Sequence, residues 1–373
     1  MYSSTPFVLT FALFLTVPLL FLFAPQFLPP KQVPLSPPNN ELADLSLFSK
    51  ATVASTSTQR SVHSRLGTHT NPKPKIAFLF LTNSDLTFSP LWEKFFNQNK
   101  NKHLFNIYIH ADPSATITPP TGVFENKFIP EAKKTSRASP SLISAARRLI
   151  ANALLDDPLN LYFTLVSQHC IPIHSFDYVY NFLFHNTLNR NKKTKQPYSI
   201  FPNYQSFIEI ISDDPNLLDR YNARGESVML PEVPFERFRV GSQFFTLNRK
   251  HALMVIKDKK YWNKFKLPCL NLDSCYPEEH YFPTLLSMED PEGCTHYTLT
   301  NVNWTDSVDG HPHLYTPEEV SKELVFKSPM MLFSETELKP DKDIEWNLWT
   351  WKVGKKNDAF ELECGTKAQT QSE

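Results

Sequence analysis

The chain has 373 residues with 38 basic and 38 acidic side chains, so its formal net charge is zero and it carries no electrostatic footprint for a nucleic acid. Only eight glycines are present, and no two of them are spaced as a G-x-G-x-x-G turn or a P-loop requires. A nucleotide bound here is held without a glycine cradle.

Residues 7–24 read FVLTFALFLTVPLLFLFA and contain no charge; the first charged residue is Lys31. At ~1.5 Å per residue such a helix comes close to spanning a hydrocarbon core of ~30 Å. Pro18 kinks a membrane helix without forbidding it. A cleaved signal peptide is the alternative. The long apolar stretch, followed by Pro-Gln-Phe-Leu-Pro-Pro instead of a small-x-small site, favours a retained anchor. No basic residue precedes it, so the positive-inside rule is silent. With residues 1–6 as a short cytosolic tail, the bulk of the chain is placed in the lumen.

Residues 25–74 are rich in Pro, Ser and Thr and read as a disordered stem, with a brief helix possible over 42–48. The five cysteines are 170, 269, 275, 294 and 364, too few for a disulfide scaffold. In an oxidising lumen Cys269 and Cys275 pair across a short loop; two buried thiols are the alternative. There is no C-x-x-C and no H-x-x-x-H, so no zinc site is suggested. Asn303-Trp304-Thr305 is an N-glycosylation sequon.

From residue 75 the pattern changes, and 75–365 reads as one folded domain followed by a disordered tail, 366–373. Apolar residues are 41% of the chain, enough for a substantial core. Residues 76–82 (IAFLFLT), 103–110 (HLFNIYIH) and 161–166 are expected strands. Residues 91–98, 139–155 and 175–188 are expected helices, with Pro140 in a first turn. This alternation predicts an α/β fold with a mostly parallel sheet, whose ligand site lies outside the carboxyl ends of the strands. Thr82, Asp112 and residues 167–169 sit at those ends. Residues 240–248 read as a further strand and 249–257 as a helix. In 276–286 (YPEEHYFPTLL) Pro277 suits a helix start, and Pro283 requires a kink or a restart. A carboxylate on that first turn, among aromatic rings, suits a raised pKa and general-base work. Acids also favour helix starts through the dipole alone, so the residues by themselves leave both readings open.

Six segments in order, 76–82, 107–114, 165–183, 238–252, 275–286 and 295–304, together resemble the plant branch of the core-2/I-branching β-1,6-N-acetylglucosaminyltransferase family (glycosyltransferase family 14). The resemblance implies a GT-A-like domain carried by a type II Golgi membrane anchor. It implies inverting transfer of a sugar, N-acetylglucosamine by family default, from a UDP-sugar to a glycan or glycoprotein hydroxyl. It also implies that no metal is needed. The strand end at Asp112 carries one Asp and not a D-x-D pair, in agreement; Asp341-Lys342-Asp343 reads as a solvated loop. Residue by residue, Glu279 falls on the catalytic base and Asp112 on a nucleotide contact, while Thr82 ends the first strand beside the uracil. Gln243 and Trp304 are acceptor-side candidates.

Two departures stand out. Where the family carries a basic pair in a pattern like LFARKF, this chain reads LFSETE (332–337), which leaves Lys339, Lys342, Arg237 or Arg239 to face the diphosphate. A family Trp-Gly turn is replaced by Lys133-Lys134-Thr135-Ser136-Arg137. The alternative function is therefore a catalytically weakened, membrane-tethered carbohydrate-binding member.

Overall fold

The computed structural model describes residues 38–64, 73–96, 98–184, 204–302 and 349–350. The apolar segment 7–24, most of the C-terminal stretch, and with them Asn303, Trp304, Lys339, Lys342 and Cys364, lie outside these residues. No described helix is long and apolar enough to cross a membrane.

The reading of 25–74 as a disordered stem is corrected for residues 38–64. Residues Pro38–Ser64 form a long helix, α1, docked on the domain. Leu47, Phe48, Ala51 and Ser55 fall on one face and are buried, while Leu42, Leu45 and Val53 remain exposed. Composition hides this helix because its fixings come from elsewhere in the chain. Asp44 accepts two hydrogen bonds from Arg148, at 2.8 and 2.6 Å, and one from Lys133 at 2.9 Å. The Arg147 guanidinium lies 4.7 Å from the Phe48 ring centre and 5.1 Å from that of Trp262.

The sheet follows the predicted alternation: β1 (Lys75–Thr82), α2 (Ser89–Phe96), α3 (Gln98–Asn101), β2 (Phe105–Ala111), α4 (Pro140–Asp156), β3 (Asn160–Ser167), β4 (Ile171–Pro172) and α5 (Phe176–Phe184). Then come β5 (Ser206–Glu209), α6 (Leu217–Asn222), β6 (Thr246–Asn248), α7 (Arg249–Lys257), α8 (Trp262–Phe265), α9 (Pro277–Glu289), β7 (Cys294–His296), β8 (Thr300–Asn301) and β9 (Trp349–Thr350). Six strands form a mixed sheet in the order β2-β1-β3-β6-β5-β7. β1 pairs in parallel with β2 and β3, β5 with β7, and β6 runs antiparallel to β3 and β5. Of the segment expected as one strand over 240–248, the end forms β6, and Val240 at its start makes an isolated antiparallel bridge to Ile211.

β1 reads as a continuous apolar run because both its faces are covered. Ile76, Phe78 and Phe80 meet the aromatic residues of α2 and α5, and Ala77, Leu79 and Leu81 meet α4 and α7. Ser139 caps α4 by accepting from the Ser141 amide, and Asn248 caps α7 by accepting from the His251 amide. These helices fix the strand ends from which the loops of the site emerge.

Candidate active site

Thr82 and Asp112 come together where β1 and β2 end: the Asp112 amide donates to the Thr82 carbonyl at 2.9 Å. Both side chains are buried and engaged within the chain. The Thr82 hydroxyl donates to the Ser84 carbonyl and accepts from the Ser84 amide. Asp112 Oδ1 accepts from the amide and hydroxyl of Ser114, at 2.8 and 2.6 Å. Its Oδ2 accepts from the amide and hydroxyl of Thr135, at 2.7 and 2.9 Å. Burial alone would raise the Asp112 carboxyl, but these hydrogen bonds outweigh it and hold it at about 2.

Thr135 belongs to residues 133–138, a strap that leads from the β2 side of the sheet to α9. The Lys133 amide donates to His110 Nε2 at 3.2 Å, and its ammonium reaches Asp44 on α1. Burial pushes His110 down to about 4, so the ring is neutral and that nitrogen is free to accept. At the far end the Ala138 amide donates to Glu278 Oε1 at 3.0 Å. The strap thus ties α1, the strand ends and the start of α9 into one unit.

Pro277 occupies the first turn of α9, as its ring favours, and Glu279 follows on that turn. Glu279 Oε2 pairs with Arg220 Nη1 of α6 at 2.8 Å, and the Arg220 guanidinium lies 5.2 Å from the Tyr276 ring centre. Glu279 Oε1 makes no hydrogen bond among the described residues. Burial raises the Glu279 pKa despite the arginine. Its neighbour Glu278 is almost fully enclosed, and burial, with a smaller push from the Glu279 charge, raises it to about 8.

α9 does not restart at Pro283: one helix runs from Pro277 through Glu289 with the proline inside it. Proline lacks the N–H that the Glu279 carbonyl would accept, and the Gly241 amide takes its place at 2.9 Å. A Cβ at Gly241 would lie 2.1 Å from the Glu209 carbonyl oxygen, so only glycine fits. Arg239 adds to the same seam: its carbonyl accepts from His280 Nδ1 and its amide donates to the Thr284 hydroxyl. Gln243, half-buried, follows two residues after Gly241.

Arg220, Glu278 and the tying role of Thr135 escape sequence reasoning. Arg220 lies on a short helix with no motif around it, and its position is set at long range. The Sγ atoms of Cys269 and Cys275 are bonded, with Cα atoms 6.2 Å apart. In the same loop, the Leu270 and Asn271 amides donate to the Ala223 carbonyl just after α6. That loop therefore braces the helix carrying Arg220. Cys170 and Cys294 are buried free thiols.

A half-buried carboxylate on a helix start, beside the carboxyl ends of parallel strands, is an arrangement for taking a proton from a bound hydroxyl. Comparison with known proteins identifies the family. The family model described as Core-2/I-Branching enzyme matches residues 76–327. The chain is also 29% identical over 296 residues to a curated rice protein (Oryza sativa subsp. japonica), Glycosyltransferase BC10, covering 70% of this chain and 68% of that one. Helix α1 precedes the matched region, while the strand ends, the strap and the start of α9 all lie within it. The match across residues 76–327 places the chain in the Core-2/I-branching enzyme family, as a glycosyltransferase.

Proposed function

We propose that this protein transfers a sugar from a UDP-sugar to a hydroxyl of a glycan or glycoprotein, with inversion, without a metal, and with Glu279 as general base. N-acetylglucosamine is the donor sugar that the family resemblance favours. The single observation that carries the reading is the state of Glu279: one oxygen is pinned by Arg220, the other is unengaged among the described residues, and burial raises its basicity. In the reaction Glu279 takes the acceptor proton as that oxygen bonds to the anomeric carbon. The bond from that carbon to the diphosphate breaks, and its electron pair leaves with UDP.

Metal independence is supported by the donor set at the strand ends. Asp112, the acid there, spends both oxygens on four hydrogen bonds within the chain and presents no free lone pair to a cation. Thr82 and Asp112 then shape the nucleotide side by ordering the turns after β1 and β2. Charge on the leaving diphosphate falls to cationic side chains, with Lys339 the C-terminal candidate. Residues 7–24 serve as a type II Golgi anchor in this proposal. Because α1 belongs to the domain, residues 25–37 form the tether between the two.

Transfer or hydrolysis of a UDP-sugar by the purified protein in excess chelator tests the proposal, with Glu279→Gln as the variant that abolishes it. The second reading, a binding protein that has lost catalysis, is favoured by Glu335 and Glu337 standing where the family has cations. Calorimetry with UDP separates the two: clear binding supports the enzyme, and none at millimolar UDP supports the binding protein.

A further inference from the structure

Glu278 takes no part in the transfer just described, yet it is more deeply enclosed than Glu279, at 4% exposure. Its Oε1 accepts the Ala138 amide, and its Oε2 is buried with no hydrogen-bond partner among the described residues. A charged carboxylate with a sealed, unpartnered oxygen is costly, whereas the neutral acid still accepts the amide through Oε1. Charged groups bear on it from three elements. Glu279 on α9 disfavours its ionisation, and Arg137 on the strap favours it. Arg224, just past α6, faces it too, with its own pKa lowered by burial to about 10.

The partner of this carboxyl is equally unusual. Ala138 has φ of 52°, a left-handed conformation that a residue with a Cβ keeps only when its surroundings hold it. Glu278 holds it from one side, and Thr135, three residues earlier, is held by Asp112 from the other.

We propose that Glu278 is a positioning residue of the site: as a neutral acid it clamps the 133–138 strap onto the first turn of α9, keeping Arg137 and the Asp112 turn in register with the Glu279 carboxylate. The clamp is a property of the fold, and only its effect on turnover rests on Glu279 being the base. Above about pH 8 Glu278 ionises. A second negative charge then stands beside Glu279 and competes for Arg137, and turnover falls.

Hydrogen exchange and infrared spectroscopy on the full chain test the clamp without a donor. Wild type at neutral pH is expected to show a carboxylic-acid carbonyl band that Glu278→Gln lacks. Peptides covering 133–139 should stay protected in Glu278→Gln, whose amide oxygen still accepts the Ala138 N–H. They should lose protection in Glu278→Ala, while peptides covering β1 are unchanged. Absence of the acid band, or wild-type strap protection in Glu278→Ala, overturns the proposal. Should the Ala variant fail to fold, the infrared difference decides. Where transfer is measurable, the basic limb of the kcat profile near pH 8 should disappear in Glu278→Gln, and its persistence there contradicts the proposal. An inactive wild type with the acid band and the strap response intact would remove the assigned reaction and leave the clamp standing.

Discussion

Glu278 and Glu279 are neighbours on one helical turn, yet their surroundings differ. Glu279 is partly open to solvent and faces Arg220, whereas Glu278 is sealed and has no cation in hydrogen-bond contact among the described residues. The difference has a consequence for stability. An unfolded glutamate titrates near 4.5, and folded Glu278 does so at about 8. Between those values the folded chain retains a proton that the unfolded chain has released. The Glu278 contribution to stability is therefore complete below pH 4.5, falls as pH rises through this window, and levels off above 8. Glu278→Gln removes the titration. Urea unfolding should show a shallower fall in stability between pH 5 and 8 for the variant, and a more stable variant near neutrality. An unchanged slope would contradict the assignment. Asp112 is the opposite case: its hydrogen bonds hold it at about 2, so it stays charged under all ordinary conditions.

At the scale of elements, α9 depends on a segment far from it in sequence. Pro283 frees the Glu279 carbonyl, and Gly241 satisfies it only because no Cβ intrudes on the Glu209 carbonyl oxygen. Gly241→Ala should cost about 2 kcal/mol or more in denaturant unfolding, since backbone and not a flexible side chain stands in the way. Helix α1 depends on partners in the same manner. Asp44→Ala leaves the buried Arg148 without its carboxylate and should destabilise the domain by roughly 3 kcal/mol. A thermal midpoint equal to wild type would show that α1 is not integral to the domain. These two cases show what the sequence carries and what it does not. β1 is legible because a strand covered on both faces reads as an unbroken apolar run, β2 and β3 because they are predominantly apolar, and α4 because Ser139 and Pro140 mark its start. α1 is polar and rich in Thr and Ser, and what holds it is Arg147, Arg148 and Lys133, placed much later in the chain. The place of Glu279 on a helix start is legible through Pro277. Arg220 is not, because only tertiary folding brings α6 to it.

In the whole molecule, one path of contacts runs from α1 through Lys133, the strap and Glu278 to the first turn of α9. The helix beside the proposed membrane tether and the proposed catalytic carboxylate thus belong to one folded unit, although α1 lies outside the region that defines the family. Within that unit the Asp112 turn, the strap and α9 bring together the Glu278 clamp and the half-buried Glu279 carboxylate, on which the proposed chemistry depends. The most direct test is sugar transfer from a UDP-sugar in excess chelator, measured for wild type and Glu279→Gln alongside their thermal midpoints. The account predicts chelator-resistant transfer by wild type, a loss of about 10²-fold or more in the variant, and an equal or higher midpoint, because burial disfavours the charged carboxylate that the substitution removes. A Gln variant that folds and retains full activity would contradict it.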